Sequence, residues 1–532
     1  MLKNNRYKVL IAFLCGAIFS LTVMFPIAYK YRGEIRPYMS YFMALFKSQQ
    51  LEINTSSKKI SSYQEVKNLN TSELPLKIGY VDLKDFNFLN GAGQLHKAGN
   101  KLYVMSRSGE IYIFDDKNLN YRFSIPNSFN EALSKYASDS SNAFRAFDLH
   151  IECSEEKIFT SFIKFNKIKN NFSFEVSSNN FDCIGSSVKN DNWLTLLSIP
   201  ITLAEATNSA SAGGAIYYEN KKLFVGFAFT EDENALEVDE IPNSFDDRNL
   251  RGKILMIDVE NNDIAVFTRG HRNIGAIIKN VSNILSIEHG PEGGDEINLI
   301  KSGKNFGYPI WTYGTDYGSF KWKNESMKSD IWNVSDPLFA FVPSIAPSDM
   351  INLINFNSKW DNNLLISGLK SQSIYRLKTK KNKVIYSEPI WIGHRVRSIE
   401  EFNSNIFILT DKGLLGRIEI DEIALLTDVV GADKPIHKNS PLNKCIQCHS
   451  VYMQANSSSA PNLYGVLGRE IAKSNYDEYS KALRDLDGKW TKEKLKKYLK
   501  NPQEFAKGTT MPNLGLSNLE INMIISELEE RR

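Results

Sequence analysis

Two thiols three residues apart with an imidazole directly behind them, Cys445-Ile446-Gln447-Cys448-His449, can add to the two vinyl groups of a porphyrin while the ring nitrogen reaches the iron from one face. A zinc site would need two further Cys or His ligands, and none follows His449. A thioredoxin-like redox pair lacks its βαβ context here. The spacing therefore predicts covalently bound haem c, held by Cys445 and Cys448, with His449 as one axial ligand. The opposite ligand is expected from Met511 in KGTTMPNLGLS, where Pro512 and the glycines make a loop able to lay a thioether against iron. Ligation by His and Met raises the reduction potential. Met453 is too near the attachment motif to cross the ring, and Met523 lies in a helix opened by the capping box Ser517-Asn518-Leu519-Glu520; both are expected in the core. In that helix Ile521, Ile524, Ile525 and Leu528 follow the spacing of a buried stripe.

Such a haem must be held by a folded domain, and 532 residues are too many for one ordinary core. The composition, 42% hydrophobic and 23% charged, is that of a folded soluble protein, and a net charge of +3 argues against a nucleic-acid partner. Residues 9–29 carry no charge and would span about 31 Å as a helix, enough for a bilayer core, so a transmembrane anchor is expected there. A cleaved signal peptide is the alternative, but the apolar run is long and no small-x-small site follows. Cys15 falls within this run. Cys153 and Cys183 either form a disulfide or stay two small buried thiols, because sequence separation does not fix their Cα distance.

Residues 30–75 read as a linker, Ser/Asn/Lys-rich near Asn54 to Ser62. From 76 to 420 an apolar strand, a Gly-containing turn and a second strand recur, as in KLYVMSRSGEIYIFD from Lys101, KLFVGFAF from Lys222 and NIFILTDKGLLGRIEI from Asn405. Six such units, irregularly spaced, suggest radial repetition, for which a six-bladed β-propeller is the simplest all-β architecture. A pair of β-sandwiches has the same periodicity. Residues 421–443 form a second linker, and 444–532 a small all-α domain.

That last segment resembles class I cytochromes c over its whole length, in APNLYGVLGR from Ala460, YSKAL from Tyr479, WTKEKLKKYLKNP from Trp490 and GTTM from Gly508. By that resemblance the Pro461 carbonyl orients His449, and Arg469, Tyr479 and Trp490 face the haem propionates. Ala460 stands where the family usually has Gly. The run Lys492, Lys494, Lys496, Lys497 and Lys500 is either a solvated helix face or a dock for an acidic redox partner.

Two blocks of the β region, RGHRNIGAI from Arg269 and SIEHGPEGGDEINLIKSGKNFGYPIW from Ser286, resemble the soluble glucose and sorbosone (aldose sugar) dehydrogenases. These are six-bladed propellers that bind pyrroloquinoline quinone (PQQ) and calcium. The resemblance implies that Arg272 and Asn273 contact the quinone, that His289 lies beside it, and that the carbonyls of Gly290 and Pro291 ligate Ca2+. Lys370 and the pair Arg395 and Arg397 would complete the cofactor set, guanidinium forks and an ammonium group being suited to the three carboxylates of PQQ. The family's base is a His in an L-H-P-like segment, for which His150 of AFDLHIECSEEKIF is the counterpart, with Ile151 in place of Pro. His150 would take the substrate hydroxyl proton, with Arg272 and calcium polarising the quinone.

Together these readings describe a quinohaemoprotein dehydrogenase on the outer face of a bacterial inner membrane. It would oxidise a sugar or related alcohol and pass electrons through its own haem to a respiratory-chain acceptor. The localisation follows from haem c being attached outside the cytoplasm in bacteria. The alternative is a non-enzymatic electron carrier whose degenerate propeller is a binding scaffold.

Overall fold

A computed structural model describes residues 58–59, 63–83, 93–228, 241–422, 424, 436 and 440–531, less 70, 116–117, 137–142, 452–459, 475 and 477. The expected anchor at 9–29 and Met453 lie outside these residues. Among the described residues no helix is long and apolar enough to cross a membrane.

Among the described residues twenty-seven strands group into six antiparallel sheets, the blades of a six-bladed β-propeller. Five innermost strands open successive blades at Gln94–Ala98, Ala146–Glu152, Gly213–Glu219, Ile274–Asn280 and Pro347–Asn352. The sixth blade starts at Val396–Phe402 and closes the ring, because Leu414–Ile420 pairs with Leu76–Asp82 from the beginning of the fold. The six innermost strands touch in a closed circle around a central channel. The expected linker 30–75 ends early: Gln64–Leu69 is the outer strand of the closing blade, bonded to Leu76–Asp82. Its short, mostly polar run hides it from a periodicity reading, since an outermost strand need bury little.

Along the outer strand Lys383–Trp391 exposed and half-buried positions alternate over the first six residues. Middle strands are covered on both faces by neighbouring blades, so Glu110–Phe114 is buried at every position. Five innermost strands, all but the one at Gln94–Ala98, carry a register shift near their first residues, between Ala146 and Asp148, Gly213 and Ile216, Ile274 and Ala276, Pro347 and Asp349, and Val396 and Ser398. Such a bulge re-aims a side chain. The rim of the channel is therefore where polar groups can leave the blade packing.

Residues 440–531 form a separate small core of helices at Lys481–Arg484, Lys492–Lys500, Pro502–Phe505 and Asn518–Glu529. The turn Pro441–Lys444 already belongs to it, with Leu442 fully buried. The last helix opens with both halves of the Ser517/Glu520 capping box and buries Ile521, Ile524, Ile525 and Leu528. Met523 is not in the core: it is 43% exposed, on the face opposite that stripe.

Candidate functional site

Two sites are built from the candidate residues. In the C-terminal domain one cavity of about 240 Å³ is lined by Cys445, Cys448, His449, Arg469, Tyr479, Trp490 and Met511 together. Cys445 and Cys448 follow a 3-10 turn whose Ser440 cap receives the Leu442 amide, so the CxxCH stretch leaves a fixed start. The His449 Nδ1–H donates to the Pro461 carbonyl at 2.7 Å. Burial, aided by Arg469, holds this imidazole below its ordinary pKa against the opposing pull of Pro461, so it is neutral and Nε2 is available to a metal.

Arg469 donates to the carbonyls of Asn462 at 2.5 Å and Tyr464 at 3.3 Å, which draws the chain around His449. Tyr479 pairs with Ser474 at 2.5 Å, and Trp490 is buried against Tyr498 and Phe505. Two thiols, a neutral imidazole and a thioether on a mostly apolar wall are the donor set for a porphyrin iron, and they fit haem c. The lysines lie on the outer face of Lys492–Lys500, whose inward positions are Leu495, Tyr498 and Leu499.

In the propeller a second cavity opens at the channel rim, lined among others by Gln94, Arg145, Asp148, Asn273, His289 and Arg397. Asn273 is fixed by accepting the Gly213 amide at 3.1 Å and donating to the Ala210 carbonyl at 3.0 Å, across a blade junction. The GHRN loop is anchored by a buried chain: Thr268 to His271 Nε2 at 2.8 Å, His271 Nδ1 to Glu288 at 3.0 Å, and the Arg272 amide to Glu288 at 2.7 Å. The Arg272 guanidinium sits over the Tyr308 ring, 5.7 Å from its centroid. Arg395 and Arg397 both donate to Asp411, at 2.8 Å each through Nε.

His289 is depressed to about 4, by burial first, with Asp295 opposing and Arg272, Arg397 and Arg395 adding to the depression. Arg145, not anticipated from sequence, is buried at the same cavity and pushed down to about 9 by burial and then by Arg397. Its only sequence signal was an arginine within an apolar run. Arg145 and Arg397 line the cavity, and the charges of Arg272 and Arg395 also reach His289 there, so guanidinium groups suited to a polycarboxylate surround it and the donor set fits PQQ in that sense. The cavity measures about 50 Å³ and opens to solvent. Gly290 and Pro291 are buried in a turn tight enough that a Cβ on Gly290 would lie 2.3 Å from the Gly293 carbonyl. No cluster of three or more His, Cys, Asp or Glu with metal-binding geometry occurs among the described residues. A calcium ion there would rest on the backbone carbonyls of Gly290 and Pro291.

Of the expected propeller residues, Asn273, His289 and Arg397 line this cavity, whereas Arg272, Arg395, Gly290, Pro291, Lys370 and His150 do not. Lys370 is exposed on a turn whose amide bonds the Ile345 carbonyl, outside the cavity lining. His150 does not line the cavity either: it packs against His96, Tyr217 and Tyr218, with ring centroids 5.2, 6.2 and 6.0 Å away. His150 lies on the same face of the strand as Asp148, in unbroken register with it, but about 7 Å further along the strand.

Residues 207–417 match the Glucose / Sorbosone dehydrogenase family. The chain is 32% identical over 156 residues to the aldose sugar dehydrogenase YliI of Escherichia coli, covering 28% of this chain and 41% of that protein. It is 34% identical over 95 residues to cytochrome c 2.1 of Caenorhabditis elegans, covering 18% of this chain and 85% of that protein. A crystal structure of glucose dehydrogenase superposes with a TM-score of 0.51 at 18% identity, over 63% of this chain and 98% of that one. The chain spans about two fifths of the length of the propeller relatives it matches.

Proposed function

We propose, for a chain that carries a glucose/sorbosone dehydrogenase domain and whose C-terminal segment belongs to the cytochrome c family, that it oxidises an aldose or related alcohol at the propeller rim and delivers the electrons to its own haem. The observation that carries this reading is the rim cavity, where Asn273, His289 and Arg397 converge with Arg145. PQQ, when bound, would supply a two-electron acceptor, and calcium a Lewis acid. The protein's own part is to hold the carboxylates of that cofactor with Arg272, Arg395 and Arg397, to fix Asn273 across the blade junction, and to present a proton acceptor to the substrate.

A haem joined through residues 421–443 is at high effective concentration for the electrons that leave one at a time. A position outside the cytoplasm, held by residues 9–29, is supported by the haem-attachment motif and by the bond between Cys153 and Cys183. A respiratory-chain acceptor would then drain the haem.

The test is reconstitution of the purified full chain with PQQ and calcium, followed by D-glucose, D-galactose and simple alcohols, with haem reduction read by absorbance. Substrate-dependent haem reduction that needs PQQ is the expected result. The displacement of His150 from the cavity favours a second reading, a carrier haem on a propeller that serves as scaffold. That reading predicts no PQQ binding in the same titration.

A further inference from the structure

We propose that Asp148, and not His150, is the proton acceptor for substrate in the propeller cavity. The proposal rests on the dehydrogenase reading above. The register shift between Ala146 and Asp148 turns this carboxylate to the channel rim, where it lines the cavity with Asn273, His289 and Arg397. Two backbone donors hold it, the amide of Leu149 on Oδ1 and the amide of Ile216 from the next blade on Oδ2, both at 2.8 Å. A carboxylate has about four acceptor positions, so two remain for a ligand.

Asp349, at the corresponding bulge of the fifth blade, provides the contrast. It takes the Met350 and Ile399 amides in the same way, but Gln94 and Ser398 also donate to it, at 3.0 and 2.6 Å, and it is buried. Asp349 is thereby saturated as a staple between blades, whereas Asp148 makes the staple and still meets the cavity.

The groups facing Asp148 from neighbouring elements are Gln94 of the first blade, Arg145 before its own strand, His289 of the fourth blade, Asp349 of the fifth and Arg397 of the sixth. Burial, and then the Asp349 charge, raise the carboxyl to about 7, while the Ile216 and Leu149 amides oppose the rise. A base poised there exchanges a proton efficiently near neutral pH. Oxidation of a carbinol breaks one O–H and one C–H bond and forms C=O. The C–H hydrogen leaves with its electron pair to a bound ortho-quinone, and the hydroxyl proton goes to a remaining lone pair of the Asp148 carboxylate.

The test compares wild type, Asp148→Asn, Asp148→Glu and His150→Gln as full chains, each titrated with PQQ by fluorescence and assayed with D-glucose and D-galactose. Infrared spectra of the quinone-free proteins across pH give a readout independent of turnover. Asp148→Asn is expected to bind PQQ within about threefold of wild type and to lose kcat by about 100-fold or more. It should also lose a carboxylic-acid C=O band that titrates near pH 7 and the acid limb of the rate profile. Asp148→Glu should recover part of the rate, and His150→Gln should stay within about threefold. Full rate in Asp148→Asn, or the large loss in His150→Gln instead, overturns the assignment while leaving the dehydrogenase reading intact. Failure of the wild type to bind PQQ overturns the dehydrogenase reading, and this assignment with it.

Discussion

The Nδ1–H of His449 meets the carbonyl of Pro461 at 2.7 Å, which fixes the imidazole with Nε2 as its bare nitrogen. Because a metal-bound His takes its orientation and basicity from such a partner, the contact would orient His449 toward a haem iron, for which Met511, lining the same cavity, is the candidate second ligand.

Met511→Ala should therefore keep haem covalently attached through Cys445 and Cys448 while removing the thioether. Axial ligands tune haem potentials over about 0.8 V, so a fall on the order of 100 mV is expected in a redox titration. His449→Ala should cost iron ligation itself, seen as loss of the low-spin spectrum. An unchanged potential in Met511→Ala would remove that residue from the iron.

Arg397 is the rim arginine both bonded to Asp411 and lining the cavity. Losing one charge-assisted contact costs about 1.5 to 3 kcal/mol, so Arg397→Ala should weaken PQQ binding by about 10- to 100-fold in a quenching titration. Arg397→Lys should fall between, since an ammonium cannot reproduce the fork. Equal affinities in all three proteins would place the quinone elsewhere.

The bond between Cys153 and Cys183 closes a loop of sequence separation 30 in the second blade, with Cα atoms 5.6 Å apart. In the chain-entropy view it restricts the unfolded state by about 3 to 4 kcal/mol. The Cys153→Ser/Cys183→Ser double variant should lose about that much in denaturant unfolding of the propeller, and reductant should no longer shift the midpoint. A thiol count on the native protein gives the independent check.

What could be read along the chain was whatever depends on neighbours in sequence. Cys445, Cys448, His449 and Pro461 lie within one short stretch, and the stripe Ile521, Ile524, Ile525, Leu528 repeats within one helix. The blades announced themselves because paired strands are adjacent in sequence. The rim did not, because it exists only after ring closure: Gln94, Arg145, Asp148 and Asp349 come from three blades and the segment before one of them, and no local pattern sets them apart. The bulge before Asp148 is invisible for the same reason, being a relation between two strands. Gln64–Leu69 was missed as a strand because its partner, not its own composition, makes it one.

The surroundings of His150 lead to a last expectation, on stability against pH. Burial depresses its pKa from 6.5 to about 4, and depresses that of its neighbour His96 to about 3, with His150 as the second cause there. The folded protein thus holds both rings neutral, while the unfolded chain protonates them near 6.5. A depressed folded pKa means the stabilising contribution is fully present above pH 6.5 and is lost as pH falls toward 4. Between pH 7 and pH 5 the loss from His150 amounts to about 1 to 2 kcal/mol. His150→Gln has no proton to take up, so its unfolding free energy should gain on wild type by that amount over the same interval. Parallel pH dependences of the two proteins would mean that His150 is hydrated enough to ionise in the fold.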